Sequence, residues 1–136
     1  MKVALEIRHV ENAQQSKEAY ERIYSTSEIR HLDSFYHWLL DILDVRPNRR
    51  LLDVSCGVGS LPRLAARRGV RAYGVDFSEA ALRIARKGAP VASWVVADGE
   101  RLPFPDKYFD YITHIGSLEH YVNPEAGVRE VARVLK

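Results

Sequence analysis

The chain has 136 residues, 46% of them hydrophobic and 28% charged, with a net charge of +2. That size suits one domain with a packed core, and so small a positive excess makes no case for a nucleic-acid or membrane partner. A single cysteine, Cys56, excludes an internal disulfide and a cysteine-built metal cluster. No apolar run approaches the ~18 residues needed to span a bilayer, and the amino terminus alternates instead of forming a signal-like block. The expected setting is therefore the cytoplasm.

Residues 2–8 alternate, with Val3, Leu5 and Ile7 on one side, as a short half-buried strand does. From Glu11 to Tyr24 the chain is polar and rich in helix formers, with an apolar edge of Ala19, Tyr20, Ile23 and Tyr24. Asp33 stands where it would cap a second helix whose apolar face is Phe35, Leu39 and Ile42, with Trp38 beside them. Pro47-Asn48 closes that section, so residues 1–48 read as a strand and helical segment serving as cap or lid. After it the pattern changes. Arg50–Val54 is an apolar strand, Ser60–Arg68 a helix closed by Gly69, and Arg71–Val75 a strand ending at Asp76. Ser78 caps a helix through Lys87, with Gly88 placed to stop it. Ala92–Ala97 is a third strand ending at Asp98, and Phe109–Ile115 a fourth. Asn123-Pro124 opens a last helix with Val128, Val131, Ala132 and Leu135 on one face. Strands alternating with helices of this length imply an α/β, doubly wound, Rossmann-like parallel sheet, which binds ligands at the carboxyl ends of its strands.

Three acids mark those ends: Asp53, Asp76 and Asp98. Between Asp53 and the next helix lies Cys56-Gly57-Val58-Gly59, a turn whose glycines permit close backbone approach and whose helix amino terminus offers free amides. Asp76 follows Gly57 by 19 residues, the spacing expected of a ribose-binding acid. A carboxylate suits a ribose diol because it accepts two hydrogen bonds at once. Each feature alone has a plainer account, since a strand-ending acid is often a helix cap. A nicotinamide site is disfavoured because Pro62 stands at the third glycine of G-x-G-x-x-G. Cys56 at a helix start invites a nucleophile reading, but no base lies near it in sequence. Arg67, Arg68 and Arg71 read as a solvated helix end.

"LLDVSCGVGSLPRLAARRGVRAYGVDFSEAALRIA", "VVADGERLPFPDKYFDYI" and "LEHYVNPEAGVREVARVLK" resemble the class I S-adenosylmethionine-dependent methyltransferases of small-molecule type (methyltransferase domain 11-like). The likeness covers residues 49–136, the expected cofactor-binding core. It implies S-adenosylmethionine as cofactor, a small-molecule acceptor and no metal. Asp53 would orient the ammonium group, and the Ser55-Cys56-Gly57-Val58-Gly59 turn would cradle the methionine part. Asp76 would hold the ribose with Phe77 against the adenine. Asp98, Gly99 and Glu100 would meet the adenine edge, and Ile115 and Gly116 would close over the methionine portion. His120 and Glu119 are the candidate proton acceptors.

Two departures from the family pattern stand out. Ser55 replaces a glycine, which matters only if that position needs positive φ or close contact with the ligand; its hydroxyl is expected near the methionine end. Relatives continue beyond "RVLK" into further strands, so the resemblance implies a partial sheet in order 3-2-1-4, lacking the usual carboxyl-terminal strands. The competing readings are a non-catalytic cofactor-binding or interaction module, or a fragment of a longer methyltransferase. The fourth strand would present an apolar edge, expected to pair with Val3–Ile7 or with a second chain, as a homo-oligomer or by strand exchange.

Overall fold

The computed structural model describes residues 13–26 and 33–136. Helices α1 (Ala13–Thr26) and α2 (Asp33–Ile42) precede β1 (Arg50–Val54), α3 (Ser60–Arg67), β2 (Arg71–Asp76), α4 (Glu79–Gly88), β3 (Ser93–Val96) and β4 (Tyr111–His114). A 3-10 turn at Leu118–His120 and helix α5 (Pro124–Val134) follow. The strand expected at residues 2–8 lies outside the described residues.

The four strands are parallel and ordered β3-β2-β1-β4, as expected. Strand β1 is central, and Leu51, Leu52 and Val54 are fully buried because both faces of the sheet are covered. Alternation sends Leu51 into a cluster with Tyr36, Leu40, Leu61 and Leu64, and Leu52 and Val54 into one with Val75, Phe109 and Val134. Register places Asp53 beside Gly74 on one side and Thr113 on the other, and Val54 beside Val75 and His114. The carboxyl ends of β1, β2 and β4 therefore share one edge.

Several sequence expectations are corrected in detail. Strand β4 starts at Tyr111, because Phe109 leaves the ladder: it forms a parallel bridge with Leu135, and the Lys136 amide donates to its carbonyl at 3.0 Å. Phe109 packs edge-on against Phe104 and Tyr108, with centroids 4.9 and 5.0 Å away. Leu135–Lys136 thus run beside the start of β4, while the proposed partner Val3–Ile7 lies outside the described residues. The expected α2 face holds in part: Phe35 and Leu39 pack against the core beside the buried Tyr36 and Leu40, whereas Trp38 and Ile42 are exposed. Asp33, expected as a cap, accepts from Arg63 of α3 at 3.0 and 3.1 Å. Helix α5 likewise buries Gly127 and Val134 and exposes Val128, since Gly127 is the residue that lies against the Tyr121 ring. Gly88 remains helical, and the chain leaves α4 at Ala89, whose amide reaches the Ala85 carbonyl.

Helix α1 is joined to the sheet layer by Glu21. Its two carboxylate oxygens accept from the backbone amides of Glu79 and Ala80, at 2.6 and 3.1 Å, so α1 caps the start of α4 from outside.

The Trp94 indole crosses β2 because two positions lack a side chain. A Cβ on Gly74 would lie 2.6 Å from Trp94 Cζ3, and one on Gly59 would lie 2.3 Å from Trp94 Cη2. The indole is fixed by donating to the Ala89 carbonyl at 3.0 Å. We expect Gly74→Ala to destabilise the fold by about 2 kcal/mol through overpacking, read as a lower urea midpoint with unchanged slope.

Candidate functional site

The turn after β1 winds through three left-handed residues: Ser55 (φ 56), Gly57 (φ 54) and Gly59 (φ 77). Glycine takes this conformation without steric penalty, and Ser55 does not; the strain is of order 1 kcal/mol. Ser55 therefore occupies a position that does need positive φ. Its hydroxyl is bonded to the Tyr121 hydroxyl at 2.8 Å, a contact that helps to hold the strained residue. The turn is tied to β2 by the Cys56 amide, which donates to the Val75 carbonyl at 3.0 Å.

Asp76 closes the turn from the other side. Its Oδ2 accepts from the Gly57 amide at 2.8 Å and its Oδ1 from the Ser78 amide at 2.9 Å. Ser78 is itself the α4 cap, its Oγ accepting from the Ala81 amide at 3.1 Å. Burial pushes the Asp76 carboxyl up to about 6, with the Ser78 and Gly57 amides opposing and the Glu21 charge adding. Asp53 accepts from the Thr113 hydroxyl at 2.6 Å. Burial drives it up to about 7 against that hydrogen bond, and the Asp76 charge adds. The same burial, with Asp76 and Asp53 nearby, raises the Cys56 thiol well above its ordinary value. That is the reverse of an activated nucleophile.

Beyond β3, Asp98 is exposed and its Oδ1 accepts from the Glu100 amide at 2.9 Å. Glu100 Oε1 accepts from the Asn123 amide at 2.8 Å, so this carboxylate is engaged by the start of α5. Gly99 lies directly under Tyr121: a Cβ there would be 1.8 Å from the phenol oxygen. Phe77 is half-buried between the two buried residues Asp76 and Ser78. Ile115 is half-buried against the core, and Gly116 is exposed at φ 64 with open space around it. Glu119 and His120 sit on the 3-10 turn, 3.9 Å apart.

Three residues at this edge escape sequence reading. Thr113 is a hydroxyl following the Tyr111-Ile112 pair in β4, and that polarity is the available signal. His114, next in β4, has its Nε2 buried without a hydrogen-bond partner, and burial lowers its pKa. Tyr121 looks in sequence like a packing neighbour of His120. In the structure its phenol reaches Ser55, lies on Gly99 and Gly127, and has its ring centroid 5.1 Å from that of His114. Burial pushes this phenol up to about 12, with Asp98, Asp76 and Glu100 adding and the Ser55 bond opposing.

The donor set suits a ligand that brings positive charge and a sugar diol. Asp53 is a buried carboxylate held by one neutral hydroxyl, so a cation beside it favours ionisation. Asp76 accepts from the Gly57 and Ser78 amides, with the Phe77 amide also favouring its ionised form, and a carboxylate offers about four acceptor sites in all. No group of three or more His, Cys, Asp or Glu is placed to hold a metal ion among the described residues. No helix among them is long and apolar enough to cross a membrane.

A parallel sheet ordered 3-2-1-4, with a left-handed turn after its first strand and acids at the strand ends, defines a Rossmann-like class I methyltransferase fold, whose cofactor is S-adenosylmethionine. Residues 52–136 match the family described as "Methyltransferase domain", and the chain belongs to that family. It is 34% identical over 101 residues to the ubiquinone/menaquinone biosynthesis C-methyltransferase of Paraburkholderia phymatum, an alignment covering 68% of this chain and 41% of that protein. It is 35% identical over 119 residues to the ubiquinone biosynthesis O-methyltransferase of Hahella chejuensis, covering 81% and 50%. Among solved structures, the YcgJ protein of Bacillus subtilis superposes with a TM-score of 0.70 at 30% identity, covering 77% of this chain and 47% of that one. The chain thus spans about half the length of the curated relatives it matches.

The raised carboxyls make stability depend on pH. An acid whose folded pKa lies above its unfolded value stabilises the fold fully below the unfolded pKa, and that contribution is lost as pH rises through the folded one. With Asp53 at about 7 and Asp76 at about 6 against 3.8 unfolded, the window runs from about pH 4 to 7. We expect unfolding free energy to rise as pH falls from 8 to 5. Asp53→Asn should remove much of that slope and stabilise the protein at pH 8 by on the order of 3 kcal/mol, measured by urea unfolding across the range.

Proposed function

We propose that this chain binds S-adenosylmethionine along the edge running from Asp53 to Asp98, and that it serves methyl transfer to a small-molecule acceptor. The observation that carries the proposal is the buried acid pair, Asp53 and Asp76, flanking a turn with three left-handed residues at the head of a helix. In this reading Asp53 takes the ammonium group and is ionised by it. The Ser55–Gly59 turn receives the methionine portion. The Gly57 amide serves the turn through Asp76, not by facing the ligand, since it is donated to that carboxylate. Asp76 accepts the ribose hydroxyls, Phe77 lies against the base, and Asp98 with the Gly99 amide meets the adenine edge. Glu100 contributes indirectly, by holding Asn123.

When bound, the cofactor supplies a methyl on a sulfonium, an electrophile with a good leaving group. The chain's work is alignment and exclusion of water. Ile115 and Gly116 border the acceptor side at the end of β4. Glu119 and His120 are the candidates to take a proton where the acceptor must lose one. Residues 1–48 act as a cap, supported by Glu21, which fastens α1 to the first amides of α4, next to Asp76 and Phe77. Both a C- and an O-methyltransferase of quinone biosynthesis are similar to this chain. The acceptor class we favour is accordingly an aromatic or quinone-type ring. We further place the protein in the cytoplasm, in keeping with its single cysteine, free in the structure.

Calorimetry with S-adenosylmethionine, S-adenosylhomocysteine and NAD tests the assignment. We expect both sulfur compounds to bind and NAD not to, with affinity increasing from pH 5.5 to 8 as Asp53 ionises. Asp76→Ala should weaken binding about 100-fold, the effect of losing charge-assisted hydrogen bonds to the diol. Binding of NAD alone would refute the assignment. Binding without turnover on a panel of phenols and quinones would favour a non-catalytic module.

A further inference from the structure

The Tyr121 side chain reaches both ends of the proposed cofactor edge. Its hydroxyl is 2.8 Å from Ser55 Oγ in the turn after β1. The same oxygen rests on Gly99 in the loop after β3, so closely that a Cβ would stand 1.8 Å away. Strand β2 lies between β1 and β3 in the sheet. A phenol touching both outer loops therefore crosses the carboxyl end of β2, where Asp76 and Phe77 stand. The bed beneath it is built for an aromatic ring. Gly127 on α5 would place a Cβ 2.7 Å from Tyr121 Cε2, so two glycines on separate elements, Gly99 and Gly127, make the space.

We propose that Tyr121 gates the cofactor site: its phenol is clasped to Ser55 across the end of β2 and leaves that position before a nucleoside-bearing ligand lies on the same edge. The inference rests on the assignment of that edge to S-adenosylmethionine. Two further features fit a moving group. Tyr121 ends the 3-10 turn, and the segment leading to it starts at Gly116, a left-handed residue with nothing within 4 Å of a would-be Cβ. Beyond it, Asn123 is anchored by Glu100 and by its own capping of Ala126, so motion is confined to the residues between. The clasp also explains the serine. Ser55 holds a left-handed conformation that glycine would hold more easily, and what it gains there is a hydroxyl for Tyr121. When the ring swings away it uncovers His114, whose buried Nε2 has no hydrogen-bond partner in the closed arrangement.

A gate that must open lowers apparent affinity by the fraction of molecules that are open. Removing it has the opposite sign from removing a ligand contact, and that sign decides the matter. Isothermal titration of S-adenosylhomocysteine into wild type, Tyr121→Phe and Tyr121→Ala is the test, with circular dichroism to establish folding. We expect Tyr121→Phe to bind about fivefold tighter, the effect of one net hydrogen bond, and Tyr121→Ala at least tenfold tighter. Should Tyr121→Ala not fold, Tyr121→Phe decides, because it keeps the ring on Gly127 and loses only the clasp. Binding by Tyr121→Ala where wild type binds undetectably supports the gate. Equal affinities overturn the gate and leave the cofactor assignment standing. Weaker binding by Tyr121→Phe makes the phenol a ligand contact and also overturns the gate. Absence of binding in all three removes the cofactor assignment, and the gate falls with it.

Discussion

The Asp76 carboxylate holds the carboxyl edge of this sheet together. With one oxygen it fixes the Gly57 amide and with the other the Ser78 amide. One buried group thereby sets both the turn after β1 and the first turn of α4. A buried carboxylate without such partners would be costly, and the two amides are what make its burial tolerable. They do not remove the strain altogether, since its carboxyl still sits at about 6. Asp53, one strand over, is in the same condition with a single hydroxyl for company. The edge thus concentrates two buried carboxyls with raised pKa, a setting in which a cationic ligand would favour their ionised form.

Glycines and large aromatics are matched across this architecture. Trp94 lies over Gly74 and Gly59, and Tyr121 over Gly99 and Gly127. In each case two glycines from separate elements admit one ring. The Trp94 arrangement is internal and locks β3 to the turn. The Tyr121 arrangement sits at the functional edge and is closed by a hydroxyl pair. Buried charge and packed rings therefore occupy the same edge in different ways: the acids bind backbone amides and a hydroxyl, and the rings fill the space that paired glycines leave.

Much of this was legible in the residues. The strand–helix alternation points to a parallel α/β sheet and the family resemblance to its order, and β1 and the Ser78 cap fall where propensity and capping chemistry put them. The acids at strand ends are legible because each follows an apolar run directly in sequence. What escaped depended on tertiary contacts. The faces of α2 and α5 are legible in part: Phe35, Leu39 and Val131 pack against the core as expected, while the burial of Tyr36, Leu40, Gly127 and Val134 depends on neighbours from elsewhere in the chain. Phe109 was read as ladder but is taken by Leu135 and an aromatic cluster. For Ser55 the sequence raises steric strain and a hydroxyl near the methionine end, and not the Tyr121 contact. Its partner lies 66 residues away, beyond any local pattern. The contact of Glu100 with the Asn123 amide likewise lies beyond what sequence spacing reveals.

The most direct test of this account is a crystal structure of the chain grown with S-adenosylhomocysteine. The account predicts ligand density along the edge from Asp53 to Asp98, with the ribose at Asp76 and the Tyr121 hydroxyl no longer bonded to Ser55. A ligand bound elsewhere, or a nucleoside on this edge with the Tyr121–Ser55 bond intact, would contradict it.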